Sequence, residues 1–337
     1  MALAFTPKPT TGWLAHFWGF AQYTAVVVTV LLLAGLFVRP LMTLDILWNV
    51  VIPLLPATFL ISTAIWRSVC PLATLNMATN GLWSRKAMSP AALRWVQALG
   101  IVLLIILVPA RRFLFNEQGV VLAVVIIAVA VNALVLGAIF DAKAGFCNAF
   151  CPVLPVEKMY GQHPLWALQN PRCPSCTLCT SKGCIDLSPS KSIKQAVGPK
   201  HNSATWLMSP FGAFTATFPG FVVGYFTTQN VAISEAGWIY LTIALWAAGS
   251  FAVVFVITRL MEARAAVVLP MVAALAVGLY YLFASPNVVA TLGGGTTATL
   301  LLRSATFLLV VVWLWRALRD SDVTVAESVE PMAVPVK

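Results

Sequence analysis

Charge is what this chain has least of. Of its 337 residues, 9% are charged and 60% are hydrophobic, where ordinary soluble domains carry about 25% charged residues. Long apolar runs account for the difference, so a soluble globular fold is not expected. Histidine is scarce too: His16, His163 and His201 complete the set, and none lies midway along an apolar run. A transmembrane haem takes its axial ligands, most often histidine, from within the spans. No intramembrane haem b is therefore expected. The chain has no G-x-x-x-x-G-K-S/T and no G-x-G-x-x-G, so nucleotide chemistry lacks its phosphate cradle. Gly293–Gly295 has no lysine after it and reads as a turn. No Ser/His/Asp constellation is visible. The apolar runs hold almost no charge, which disfavours a transporter, since ion and substrate pathways need it.

What is present is mostly membrane. A spanning helix needs about 20 predominantly apolar residues. Runs near 19–38, 46–66, 95–110, 118–140, 207–227, 237–258, 265–284 and 297–315 qualify. The fold class expected is an all-α integral membrane protein of about eight transmembrane helices. The run at 207–227 carries Pro210, Gly212, Pro219, Gly220 and Gly224 and reads as a broken or re-entrant candidate. The first run reads as a span rather than a cleavable leader.

The net charge of +10 is spread through short loops, which speaks for a membrane face and against nucleic acid. Lys and Arg excess marks the cytoplasmic side. With the N-terminus inside, seventeen of the 21 basic residues fall inside. Arg39, Arg111 and Arg112 fall outside, and Arg303 lies in the last run near its outer end, where snorkelling explains it. The bacterial inner membrane is the expected location, with both termini and both cysteine-bearing loops cytoplasmic. The chain divides into a four-helix unit (1–140), a cytoplasmic cysteine-rich loop (141–205), four further spans (206–318) and a tail (319–337) expected to be disordered.

Six of the seven cysteines lie between Cys147 and Cys184. They read Cys147-x3-Cys151-Pro, then Cys173-x2-Cys176-x2-Cys179-x4-Cys184. Consecutive x2 spacing lets one tight loop reach the corners of an iron–sulfur cluster. Zinc sites instead join two C-x2-C knuckles across a longer spacer. The seventh cysteine belongs to a repeat. Trp66-Arg-Ser-Val-Cys70-Pro71 follows the second span as Cys147-Asn-Ala-Phe-Cys151-Pro152 follows the fourth, and each leads through an apolar stretch to a glycine, Gly81 or Gly161. The two helix hairpins read as copies of one unit, with Trp66 standing where the second copy has Cys147.

Paired Cys-Pro motifs after the second and fourth spans, followed by a ferredoxin-type run, resemble the membrane-bound ferredoxin-type 4Fe–4S proteins. That group includes NapH, the C-terminal half of NosR and CcoG-like proteins. The resemblance covers about residues 19–190. It implies 4Fe–4S clusters on the cytoplasmic side and electron exchange with quinone or a periplasmic partner. The chain departs from the pattern at Trp66, in having one ferredoxin run rather than two, and in its last four spans.

Two ligand assignments stay open. Cys173, Cys176, Cys179 and Cys184 close one local cluster, or the first three take a remote cysteine, Cys151. In the latter case Cys184 joins Cys70 and Cys147. A second site on Cys70, Cys147 and Cys151 would need a non-cysteine ligand, for which Asp141, Asp186 and His163 are the neighbours in sequence. Trp66, Trp83, Trp95, Trp166 and Trp206 near the inner face read as an interfacial aromatic belt before they read as a quinone pocket. The expectation is an electron-transfer subunit of a larger redox complex, without stand-alone catalysis. Its partners would be other membrane or periplasmic redox subunits and a cytoplasmic donor. The alternative is a membrane assembly or scaffold factor with a structural zinc or iron–sulfur loop.

Overall fold

The computed structural model describes residues 13–84, 86, 88–166, 185, 192–193, 196–197, 204–262 and 264–321. Among them strand-type pairing is confined to one isolated bridge between Lys86 and Phe140. The helices are α1 (Trp13–Val38), α2 (Pro40–Ile46), α3 (Ile52–Val69), α4 (Pro71–Ala78), α5 (Pro90–Ala110), α6 (Gly119–Ile139), α7 (Leu154–Tyr160), α8 (Pro210–Thr227), α9 (Ala236–Leu260), α10 (Ala265–Thr291) and α11 (Thr296–Ser321). Five-residue π turns occupy Leu47–Val51, Arg111–Phe115 and Phe146–Phe150. In lipid each backbone polar group must be satisfied within the protein, which long helices achieve. Their outer faces are apolar: Phe20 on α1 is 71% exposed and Phe307 on α11 is 68% exposed.

Among the described residues, seven segments are long and apolar enough to cross a membrane: His16–Val38, Pro40–Val69, Ala91–Phe115, Gly119–Ile139, Ile233–Leu260, Ala265–Thr291 and Thr296–Arg319. The fold is thus all-α and multi-span, with seven such segments where about eight are expected. The difference is α8. Its prolines, glycines and threonines make it less apolar, and it is buried inside the bundle rather than turned outward. Phe211, Phe214, Phe218, Phe221 and Tyr225 all lie in the core. Ser209 starts this helix by accepting from the Gly212 N–H at 3.0 Å, directly before Pro210. Gly220 and Gly224 let α9 approach closely. A Cβ on Gly220 would stand 2.0 Å from the Trp246 carbonyl oxygen, and one on Gly224 2.8 Å from Ile243 Cα. This is small-residue packing of the kind membrane helices use.

Polar groups gather at two ends. At one, Arg112 donates to the Tyr225 carbonyl (2.9 Å), Arg111 to Asn116 Oδ1 (2.9 Å), and Thr291 to Asp45 (3.3 Å). At the other lie Arg67, Lys143 and Arg316, the last donating to the Leu165 carbonyl. Arg303 differs from the snorkelling expectation. Its Nη2 donates to the Leu282 carbonyl at 2.6 Å, which Pro286, four residues on, has no N–H to satisfy.

Tyr281 on α10 enters the second span in a similar way. Its hydroxyl donates to the Pro53 carbonyl at 2.6 Å and accepts from the Ala57 N–H at 2.9 Å. It thereby bridges a hydrogen bond that the helix itself would otherwise make. Tyr281→Phe leaves both groups unpaired in the core, and each unsatisfied group costs about 1–3 kcal/mol. The expected result is a clear drop in thermal stability in detergent. An unchanged unfolding temperature would show that the hydroxyl is dispensable.

The two sequence repeats pack reciprocally. After α4, the Trp83 and Lys86 amides donate to the Ala138 and Ile139 carbonyls at the end of α6. After α7, the Leu165 and Trp166 amides donate to the Leu60 and Ile61 carbonyls of α3. Those two carbonyls are released because Ser62 breaks α3 with extended backbone. Each copy thus closes on the other copy's second helix.

Candidate functional site

Proline chemistry places both motif cysteines. A residue before proline is pushed out of the α region. Cys70 has φ −57°, ψ 123°, and Cys151 has φ −57°, ψ 121°. The sequence repeat is therefore a repeat of backbone geometry. The Cys70 amide donates to the Trp66 carbonyl at 2.7 Å, and the Cys151 amide to the Phe146 carbonyl at 2.9 Å. The second turn is one residue wider, which is why Phe146–Phe150 is a π turn. A glutamine from each copy's first helix secures a carbonyl just upstream of its cysteine. Gln22 Nε2 donates to Ser68 O (2.7 Å), and Gln97 Nε2 to Asn148 O (2.9 Å).

Cys70, Cys147 and Cys151 meet in one apolar cluster with Ala73, Ala133 and Phe146. A buried charged network runs beside them. Arg67 Nη1 pairs with Glu157 Oε2 at 2.7 Å, each side chain 3% exposed. Arg67 Nη2 donates to Asn148 Oδ1 at 2.6 Å, and Nη1 also reaches the Cys147 carbonyl at 3.4 Å. Lys143 Nζ donates to the Arg67 carbonyl at 3.2 Å. Arg67 and Asn148 each stand three residues before a motif cysteine, so equivalent positions of the two copies bond to each other.

Burial raises all three thiols. It pushes Cys147 up to about 12, with Arg67 and Lys143 pulling the other way. Cys151 is raised well above the ordinary thiol value by burial, then by the charge of Glu157. Cys70 is raised by burial, against a hydrogen bond from the Ala73 backbone.

The structure therefore brings together three of the seven cysteines singled out in the sequence. Cys173, Cys176, Cys179 and Cys184 lie outside the described residues, as do Asp186, His201 and the tail beyond residue 321. Asp141 and His163 are not among the leading charges acting on the thiols; Glu157 takes that place. Trp83, Trp95 and Trp166 are exposed, as an aromatic belt would be, while Trp206 is buried and Trp66 packs against Phe59. Among the described residues no three His, Cys, Asp or Glu side chains are arranged to hold a metal ion by themselves. The three thiols lie near the buried Arg67, Lys143 and Glu157.

Sequence reasoning passed over Glu157, and it counted Arg67 and Lys143 only as loop charges. A signal was available. Glu157 is one of eleven acids in the chain, and it sits six residues after Cys151 with Lys158 beside it on a stretch that is otherwise largely apolar.

The fold and site together define a multi-span helical membrane protein with a duplicated Cys-Pro unit at one end of its bundle. Comparison with protein-family models, curated proteins and solved structures finds no match to this chain.

Proposed function

We propose that this chain is a membrane-bound electron-transfer protein carrying at least one 4Fe–4S cluster at the cytoplasmic end of its bundle. One observation carries the reading. Two Cys-Pro turns of the same geometry bring Cys70, Cys147 and Cys151 into one cluster, and the Cys173-x2-Cys176-x2-Cys179-x4-Cys184 run follows in the sequence. Cys173, Cys176, Cys179 and Cys184 would hold the cluster, with Cys151 as the alternative fourth ligand. Cys70, Cys147 and Cys151 are the candidates for a second site. A bound cluster supplies one-electron chemistry at a potential set by its charge, hydrogen bonds and exposure. The protein's part is to hold the sulfurs in a dry, charged pocket against the membrane.

In this reading α8 also crosses, making eight crossings with both termini and both cysteine segments in the cytoplasm of a bacterial inner membrane. α8 spans about 27 Å at 1.5 Å per residue, close to the roughly 30 Å hydrocarbon core. Electrons reaching the far side would need a quinone or a partner redox subunit, because Cys70, Cys147 and Cys151 sit together at one end. The competing reading is a membrane assembly factor whose cysteine loop is structural, favoured by the apolar packing of the three described thiols.

Cys176→Ser separates the two. The electron-transfer reading expects the variant to insert and assemble normally while its iron content and its reduction by a cytoplasmic donor collapse. Loss of assembly with no prior redox activity in the wild type would replace it with the scaffold reading.

A further inference from the structure

At the end of the bundle opposite Arg67, two arginines stand side by side without an acid. Arg111 and Arg112 open the π turn Arg111–Phe115, which follows α5. Trp48 and Asn49 belong to the π turn Leu47–Val51 between α2 and α3. The Arg111 guanidinium lies over the Trp48 ring at 4.9 Å, and that of Arg112 over the Tyr225 ring at 4.5 Å. Their acceptors are neutral. Arg111 Nε donates to Asn116 Oδ1 (2.9 Å), and its Nη2 reaches Asn49 Oδ1 (3.5 Å). Arg112 Nη2 donates to the Tyr225 carbonyl (2.9 Å), and its Nη1 reaches Asn230 Oδ1 (3.4 Å). Arg112 Nε is shielded from solvent with no acceptor. Among the described residues no carboxylate forms an ion pair with either guanidinium. Glu117 and Glu235 are exposed, and Asp45 is engaged by Asn49 (2.6 Å) and Thr291 (3.3 Å).

We infer that Arg111 and Arg112 form a binding site for the phosphate of an anionic phospholipid headgroup. Two neighbouring cations repel each other, and an anion beside both removes that cost. Arginine's planar fork matches the oxygens of a phosphate. Stacking on Trp48 and Tyr225 holds both forks in place before a ligand arrives. Both side chains are partly buried rather than sealed, and Arg111 Nη1 makes no hydrogen bond among the described residues. Depth selects the source of the phosphate. The pair lies in the last five residues of the membrane-crossing segment Ala91–Phe115, where a bilayer presents its headgroups. Ile105, Ile106 and Val108, on the preceding turns of α5, are 38%, 48% and 36% exposed, an apolar surface for acyl chains. The site needs the membrane-spanning fold and is independent of the electron-transfer reading.

Affinity is measured by isothermal titration of the full-length protein in an uncharged detergent. The probes are dioctanoyl phosphatidylglycerol, dioctanoylglycerol, which has no phosphate, and sodium phosphate. Phosphatidylglycerol is expected to bind about tenfold tighter than either, and Arg111→Gln/Arg112→Gln to lose about that factor, as charge-assisted hydrogen bonds are removed. Arg112 also ties α5 to the Tyr225 carbonyl, so a second variant spares both arginines. Asn116→Asp puts a carboxylate where Asn116 Oδ1 accepts from Arg111 Nε. It supplies the missing counter-charge from within and is expected to weaken lipid binding by a similar factor. Arg39→Gln removes an exposed cation at the corner between α1 and α2 and is expected to stay within about twofold of wild type. Unchanged affinity in Asn116→Asp, or in a folded double arginine variant, overturns the inference. An equal loss in Arg39→Gln overturns it as well, by showing general attraction to a basic face. Sodium phosphate binding as tightly as the lipid gives the site to a soluble ligand and overturns the lipid assignment. No preference for phosphatidylglycerol over dioctanoylglycerol also overturns it, and leaves the pair as helix-end anchors or a docking point for an acidic partner.

Discussion

An Arg67→Met variant is expected to lose about 3–5 kcal/mol of stability, the usual cost of breaking a buried ion pair from one side. The size follows from what is left behind. Glu157 is 3% exposed and loses its 2.7 Å partner, so a buried carboxylate gives up its ion pair with Arg67. Asn148 Oδ1 and the Cys147 carbonyl lose a donor at the same time. Since Arg67 belongs to the first copy and Glu157 and Asn148 to the second, the loss also loosens the contact that brings Cys70 to Cys147 and Cys151. The double variant Arg67→Met/Glu157→Met removes both charges and is expected to recover most of the loss, because a buried pair replaced by apolar groups is often neutral or better. Unfolding temperatures of wild type, both single variants and the double variant in one detergent decide the matter. A single variant as stable as wild type would show that the pair contributes little.

Gly137→Ala is expected to do comparable damage by a different route. A Cβ at Gly137 would stand 2.1 Å from the Asn76 carbonyl oxygen and 2.6 Å from Thr79 Oγ1. The first is backbone of α4, so a side-chain rotation cannot relieve it. Overpacking costs about 1–3 kcal/mol and occasionally more, and a backbone clash belongs at the upper end. Asn76 is fully buried, and its Nδ2 donates to the Ala133 carbonyl at 2.9 Å. Pushing α4 off α6 breaks that bond and displaces the turn that carries Cys70. Gly278→Ala is the control. Nothing lies within 4 Å of its added carbon, and alanine is favoured over glycine in a helix by about 0.5–1 kcal/mol. If Gly137→Ala and Gly278→Ala behave alike, the close approach of α4 to α6 is not tight in solution.

The apolar helices were legible because length and hydrophobicity decide a membrane span with little help from tertiary context. What the runs did not reveal is how each span is built. The second is α2, a π turn and α3 joined end to end, with Ser62 breaking the last of these. That arrangement depends on Tyr281, 224 residues away from Ala57 along the chain. The 207–227 run was legible as a helix rich in proline and glycine, and those residues turned out to serve burial against α9 through Gly220 and Gly224.

The repeat was legible from Cys-Pro alone, since proline constrains the residue before it whatever surrounds the pair. Its reciprocal packing was not, because the sequence does not say which copy's strap lies on which copy's helix. For the same reason Arg67 read as one more cytoplasmic charge. Its partner lies 90 residues on, and only the fold joins them.

The central claim is that the seven cysteines serve an iron–sulfur protein. Metal and acid-labile sulfide analysis of anaerobically purified wild type, with paramagnetic resonance of the dithionite-reduced sample, tests it most directly. The account predicts iron and sulfide in equal amounts, at least one 4Fe–4S equivalent per chain, and a cluster signal on reduction. Zinc in place of iron, no sulfide and no signal would contradict it.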